Sequence, residues 1–222
     1  MFTGIIQEIG TVARVERRRG IIRLIVQAPK TASRVQRLES VAVSGTCLSV
    51  VSVGQGTLTF EVIEETRGLT TVGQWRSGQR VNVEPSLSLA DRLSGHILFG
   101  HVDGIGTVIK RRRRAGELVL EIRVPAAARR FLVPKGPVAV DGVSLTVGSR
   151  LTASTFTVHL IPETLRQTTL RELRIGQCVN VEIDYLAKLV HQFLSNAIKP
   201  ARHRHYASAR LLRGVTKRNR HA

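Results

Sequence analysis

Two ten-residue strings in this chain share a scaffold and exchange their polar groups. Val41-Ala42-Val43-Ser44-Gly45-Thr46-Cys47-Leu48-Ser49-Val50 lines up with Val138-Ala139-Val140-Asp141-Gly142-Val143-Ser144-Leu145-Thr146-Val147, identical at six of ten positions with an offset of 97. Ser44 therefore faces Asp141, Cys47 faces Ser144 and Ser49 faces Thr146. A thiol is nucleophilic only as its thiolate, and taken alone Cys47 is more often a small buried hydrophobe. His101, in Gly100-His101-Val102-Asp103-Gly104, adds an imidazole, which can serve as a base or as a turn hydrogen-bonder. The remaining histidines offer less. His159 alternates out of phase with Phe156, Val158 and Leu160, which puts it on a solvent face, and His203 and His205 have no Cys or acid near them to complete a metal site.

The elements that must position these groups are written twice. Glu65-Thr66 recurs as Glu163-Thr164, and Gly78-Gln79-Arg80-Val81-Asn82-Val83-Glu84 matches Gly176-Gln177-Cys178-Val179-Asn180-Val181-Glu182. From 65 to 84, eleven of twenty positions agree at an offset of 98. The opening Gly4…Ile9-Gly10-Thr11-Val12 returns as Gly100…Ile105-Gly106-Thr107-Val108 at an offset of 96. Offsets that drift by single residues mean small insertions in turns, so the chain is a tandem duplication.

Each copy reads as β. Thr57–Val62 and Thr155–Leu160 alternate apolar with polar, and Gly54-Gln55-Gly56 supplies a hairpin turn. Short strands with Gly-rich punctuation predict an all-β fold of two small closed antiparallel barrels. Thr31–Leu38 and Ala126–Leu132 are short helical candidates in equivalent places, the second with Pro125 at its N1 position. Glu84 and Glu182 read as groups that satisfy strand ends. Past the second copy, Leu186, Leu189, Val190, Phe193, Leu194 and Ala197 form one helical stripe with Asp184 as N-cap, and the first copy has no equivalent. That stripe either covers a barrel end or packs against other subunits. The expected domains are 1–93, 94–184, a helix over 185–199 and a basic, disordered tail over 200–222.

Composition excludes several classes. The chain has 222 residues, 42% of them hydrophobic and 23% charged, as globular proteins do. No apolar run reaches membrane-spanning length, and Met1-Phe2-Thr3-Gly4 opens with no signal-like region, so a cytoplasmic protein is expected. Two cysteines, Cys47 and Cys178, make neither a disulfide framework nor a four-thiolate zinc site. The net charge of +18 suggests nucleic acid, yet its distribution argues otherwise. Residues 196–222 carry eight Lys or Arg and no acid, and Lys110–Arg114 adds five more at what reads as a solvated hairpin tip. Aromatics are only 4%, too sparse for stacking platforms, so a dedicated nucleic-acid partner is not expected.

Four strings together resemble a known family. They are Met1-Phe2-Thr3-Gly4-Ile5-Ile6, Ser94-Gly95-His96-Ile97-Leu98-Phe99-Gly100-His101-Val102-Asp103-Gly104, Lys135-Gly136…Asp141-Gly142-Val143-Ser144-Leu145-Thr146-Val147 and Ile161-Pro162-Glu163-Thr164. In this order on a duplicated chain, over residues 1–198, they resemble riboflavin synthase of the alpha-chain type. The resemblance implies two six-stranded Greek-key barrels and a C-terminal helix that makes a homotrimer with an intersubunit active site. It also implies a reaction without metal or redox cofactor. Two molecules of 6,7-dimethyl-8-ribityllumazine dismutate by transfer of a four-carbon unit, giving riboflavin and a 5-amino-6-ribitylamino-pyrimidinedione. One substrate copy donates and the other accepts, so a symmetric fold needs chemically different pockets, which the exchanged polar groups provide.

Carried over residue by residue, the resemblance implies that Ser40, Cys47 and His101 act near the acidic methyl group of the lumazine. Lys135, Asp141, Ser144 and Thr146 line the C-terminal pocket. Glu65, Thr66, Ile161, Pro162, Glu163 and Thr164 sit at matching strand ends and read the pyrimidine edge or the ribityl chain. Phe2, Thr3, Gly4, Ser44, Ser49 and Gly100 complete the substrate contacts, and Asp184 matches a site acid, which competes with its N-cap reading. Ser44 stands where the family usually has Asn or Asp. The competing readings are a silent lumazine- or flavin-binding protein of the same fold, and an RNA-associated basic barrel.

Overall fold

The computed structural model describes residues 1–18, 20–114 and 116–197; the expected tail lies outside them. The first barrel comprises β1 (Glu8–Arg18), β2 (Ile21–Gln27), α1 (Pro29–Ala32), β3 (Ser40–Val43), β4 (Thr46–Val53), β5 (Thr57–Ile63), α2 (Glu64–Leu69) and β6 (Arg80–Pro85). The second repeats it as β7 (Gly104–Arg114), β8 (Glu117–Arg123), α3 (Ala126–Arg129), β9 (Pro137–Val140), β10 (Val143–Leu151), β11 (Thr155–Leu160), α4 (Pro162–Gln167) and β12 (Cys178–Ile183). A final helix, α5, spans Tyr185–Ala197.

Both barrels close in the same strand order, β1-β2-β5-β4-β3-β6 and β7-β8-β11-β10-β9-β12, an antiparallel Greek key without exposed edges. Alternation fills each interior. Leu24, Val26, Leu58 and Phe60 point into the first core, and Leu120, Ile122, Phe156 and Val158 into the second, all fully buried. Bulges bend the strands at matching points, between Val12 and Arg14 and between Val108 and Lys110. Gly10 on β1 and Gly106 on β7 face closely packed neighbours; a Cβ there would come within 2.9 Å of Val83 and 2.8 Å of Ile122, respectively.

Three local expectations need correction. The helices near 31 and 126 are single turns, and Pro125 is the N-cap of α3, not its first residue. Glu65, Thr66, Pro162, Glu163 and Thr164 do not sit on strand ends: they lie in α2 and α4, with Pro162 in the first turn and Ile161 the residue before it. Lys110–Arg114 is not a loop. It forms the outer end of β7, paired with β8 as far as Arg114 opposite Glu117, with Lys110 ion-paired to Glu121 across the ladder.

A polar seam joins the barrels. The Asn82 side chain donates to the Asp141 carbonyl and accepts from Thr169 N, both at 2.8 Å. Asn180 mirrors it, donating to the Ser44 carbonyl and accepting from Thr71 N, again at 2.8 Å. The two turns meet at Gly45 and Gly142, where a Cβ on Gly45 would lie 2.6 Å from Gly142 N. Glycine is required there by contact and by its positive φ.

Candidate functional site: two reciprocal pockets

The sequence groups gather on the outer faces of the barrels. In β4, Leu48 and Val50 face the core, so Cys47 and Ser49 face outward. Ser40 on β3 pairs with Ser49, which puts Ser40, Cys47 and Ser49 on one patch. The matching patch on β10 holds Ser144 and Thr146, with Pro137 opposite Thr146 where the first barrel has Ser40. Lys135 sits on a left-handed turn (φ 66°) that bonds to Val147, and the first barrel has Leu38 (φ 76°) bonded to Val50 in the same place. The patches share a backbone and differ in a thiol, a hydroxyl and an ammonium.

Each patch is covered by a segment from the start of the other barrel. Cys47 N donates to the Gly100 carbonyl at 3.0 Å, and a Cβ on Gly100 (φ 71°) would lie 2.6 Å from the Cβ of Cys47. His101, exposed, follows directly, its ring stacked 6.0 Å from that of Phe99. Reciprocally, Ser144 N donates to the Gly4 carbonyl at 2.9 Å, with Gly4 (φ 76°) as close to Ser144 as Gly100 is to Cys47. Phe2, 1% exposed, exchanges two backbone bonds with Leu98 and packs on Ala42 and Ala139 between the patches.

Two carboxylates hold these covers. Glu84 accepts from Thr3 N, Thr3 Oγ1 and Gly4 N, and Glu182 accepts from Phe99 N and Gly100 N. Burial lifts the pKa of both, against the backbone N–H bonds that lower it. The expectation that they satisfy strand ends needs correction: the N–H groups they bind belong to the irregular segments at 3–4 and 99–100 that cover the patches, outside any strand. His96 was not singled out by the sequence. Its Nδ1 lies 2.7 Å from Ser144 Oγ, its Nε2 is buried without a partner, and desolvation depresses its pKa while Asp184 opposes the shift. Asp184 accepts from Leu186 N, capping α5 as its N-cap reading expects, and its charge is what opposes the shift at His96.

Ser44 and Asp141 are the exceptions. Both occupy left-handed turn positions inside the seam, away from the outer patches. Ser44 Oγ accepts from Asn82 N at 3.2 Å and Asp141 Oδ1 from Asn180 N at 2.8 Å. Serine thus does the turn-acceptor work of the acid within the seam. For Glu65, Thr66, Glu163 and Thr164, none of the described hydrogen bonds reaches Cys47 or Ser144; Glu163, for one, accepts from Arg166 and Gln167 within α4.

Burial without a cation pushes Asp141 up from 3.8 to about 7. A raised carboxyl pKa means that the folded state binds the proton more tightly than the unfolded one. Stability therefore falls as pH rises from 4 to 7, by up to about 4 kcal/mol from this group. Asp141→Asn keeps the acceptor and removes the charge. Urea unfolding between pH 4 and 8 is expected to show a flatter profile and higher stability at pH 8 for the variant; parallel profiles would contradict the assignment.

Paired barrels of one plan, each with an outer polar patch covered by the start of the other, define a tandem two-barrel protein. Residues 3–86 and 99–184 each match the model of the lumazine binding domain. Riboflavin synthase of Mycobacterium bovis is 40% identical over 201 residues, covering 89% of this chain and all of that protein. Riboflavin synthase of Brucella abortus is 40% identical over 85% of this chain and 95% of its own length, and that of Bacillus subtilis 34% identical over 89% and 91%. The crystal structure of LumP complexed with riboflavin superposes with a TM-score of 0.77 at 23% identity, covering 82% of this chain and 99% of LumP, which shows a common fold. The chain belongs to the riboflavin synthase family.

Proposed function

We propose that this chain catalyses the riboflavin synthase reaction, moving a four-carbon unit between two molecules of 6,7-dimethyl-8-ribityllumazine. One observation carries the reading beyond family membership: two outer patches on one backbone plan, with Ser40, Cys47, Ser49 and His101 at the first and Lys135, Ser144 and Thr146 at the second. Identical scaffolds bind two copies of one substrate, and different polar groups give the copies different roles. His101 takes the proton from the acidic methyl group of one lumazine, while the Lys135 ammonium and the hydroxyls of Ser144 and Thr146 polarise the other. Growth of a bacterial strain lacking its own riboflavin synthase, rescued without added riboflavin by this chain but not by His101→Ala, is the expected outcome. Failure of the parent chain to rescue would contradict the proposal.

The proposal includes a homotrimer in the cytoplasm. Supporting it, α5 buries none of its residues and leaves Leu186, Leu189, Val190, Phe193 and Leu194 exposed on one stripe, Phe193 at 74%. Lys188, 2.9 Å from Asp103, ties the helix to the second barrel. A stripe of this size is covered by the same helix of two further copies, which brings the first pocket of one subunit toward the second pocket of the next. Both cysteines are free, as in reducing compartments, and no described helix is long and apolar enough to cross a membrane. Light scattering is expected to give three chains for the parent and one for Phe193→Glu, with turnover lost in the monomer; an active monomer would refute the intersubunit site.

A further inference from the structure

The strand that ends each barrel carries a carboxylate whose bonds lead to the pocket of the other barrel. Glu84 closes β6 of the first barrel and Glu182 lies in β12 of the second; they are 4% and 5% exposed, and neither joins a described salt bridge. Holding a buried carboxylate without an ion-pair partner requires several well-aimed donors. Glu84 Oε1 takes Thr3 N at 2.7 Å and Thr3 Oγ1 at 2.8 Å, and Oε2 takes Gly4 N at 3.0 Å. Glu182 Oε1 takes Phe99 N at 2.8 Å and Oε2 takes Gly100 N at 3.1 Å. The next bond in each chain crosses over. The Gly4 carbonyl receives Ser144 N of the second pocket, and the Gly100 carbonyl receives Cys47 N of the first.

We infer that Glu84 and Glu182 are positioning residues that act crosswise, Glu84 setting the pocket around Ser144 and Glu182 the pocket around Cys47. Neither reaches the substrate patch; each fixes a peptide that does. Two oxygens on two successive N–H groups determine the direction of the peptide that follows, and the glycine, pressed on the opposite barrel, passes that direction on. Glutamine is nearly isosteric but offers one acceptor, and its amide N–H₂ would face a backbone N–H. One bond is then lost and the cover shifts. The inference rests on the proposed riboflavin synthase function, which makes these patches ligand sites.

The test uses the full chain and riboflavin, with Cys47 as a reporter for the first pocket. Riboflavin bound per chain is counted by fluorescence quenching. Protection of Cys47 from iodoacetamide is read by peptide mass spectrometry, which separates it from Cys178. The parent is expected to bind two riboflavins per chain and to protect Cys47. Glu182→Gln is expected to weaken the first pocket by about tenfold or more, so that Cys47 loses its protection while the second riboflavin stays. Glu84→Gln is expected to do the reverse, keeping Cys47 protected with one riboflavin lost. A loss of the same-barrel pocket, an equal loss of both as from general unfolding, or no loss at all would each overturn the crosswise assignment. If the parent binds no riboflavin, the proposed function fails, and this inference with it.

Discussion

Phe2→Ala is expected to lower turnover by about a hundredfold or more while both barrels stay folded. Phe2 contributes nothing to either barrel core; it packs with Leu98, Ala42 and Ala139 in a separate cluster between the patches. Its amide and carbonyl bond to Leu98 at 2.8 and 3.0 Å, and Thr3 and Gly4 follow directly onto Glu84 and Ser144. Truncating a fully buried phenylalanine costs about 3–5 kcal/mol, here charged to the N-terminal strap and the segment 96–101 that it holds. Both pocket covers depend on that contact, and a displacement of about 1 Å at a reacting centre can cost about a hundredfold in rate. Circular dichroism should remain that of a β protein while steady-state turnover collapses. Turnover close to the parent's would mean that the strap does not shape the pockets.

His101→Ala is expected to reduce kcat by about a hundredfold to ten-thousandfold, the usual contribution of a positioned proton-transfer group, with a much smaller change in lumazine affinity. His101 follows the glycine whose carbonyl holds Cys47, and its side chain is exposed beside that patch, where the proposed function puts the lumazine methyl group. Its removal leaves the Glu182 bonds to Phe99 and Gly100 in place, so the cover keeps its course. Cys47→Ser, which keeps a hydrogen-bonding group in nearly the same space, should act in the same direction with a smaller effect. Single-turnover rates set beside equilibrium lumazine titrations separate the two contributions. Weakened binding at unchanged kcat would make His101 a substrate-binding group instead of a base.

The duplication made the fold legible. Each strand appears twice, so the alternation of Thr57–Val62 was reinforced by that of Thr155–Leu160, and the closed six-stranded barrels followed. The polar exchange between Cys47 and Ser144 was equally visible, because the surrounding residues cancel out. The facing of turn residues was not. Ser44 and Asp141 sit at the corner of a hairpin, where alternation stops specifying a side; the contact of Gly45 with Gly142 and the Asn82 and Asn180 bonds to their carbonyls put them in the seam. The pocket covers were hidden for a different reason: Thr3 and Glu84 are 81 residues apart, and His96 and Ser144 are 48. A trace of them was present. Asn82 with Glu84 and Asn180 with Glu182 occupy the outward phase of their strands, where solvent-facing residues would be free to differ, yet both copies keep them. That identity reflects strands covered on both faces. Helices α2 and α4 carry their own signal in Pro162 and the acids of their first turns, but they follow so directly on β5 and β11 that the strand pattern masks it.

Purified chain mixed with 6,7-dimethyl-8-ribityllumazine alone, with both products separated and counted over time, tests the account most directly. Two differently equipped pockets working on two copies of one molecule predict steady riboflavin formation. One riboflavin and one 5-amino-6-ribitylamino-pyrimidinedione should appear for every two lumazines consumed. Lumazine that binds and is recovered unchanged would contradict the account and leave this chain a binding protein on the same fold.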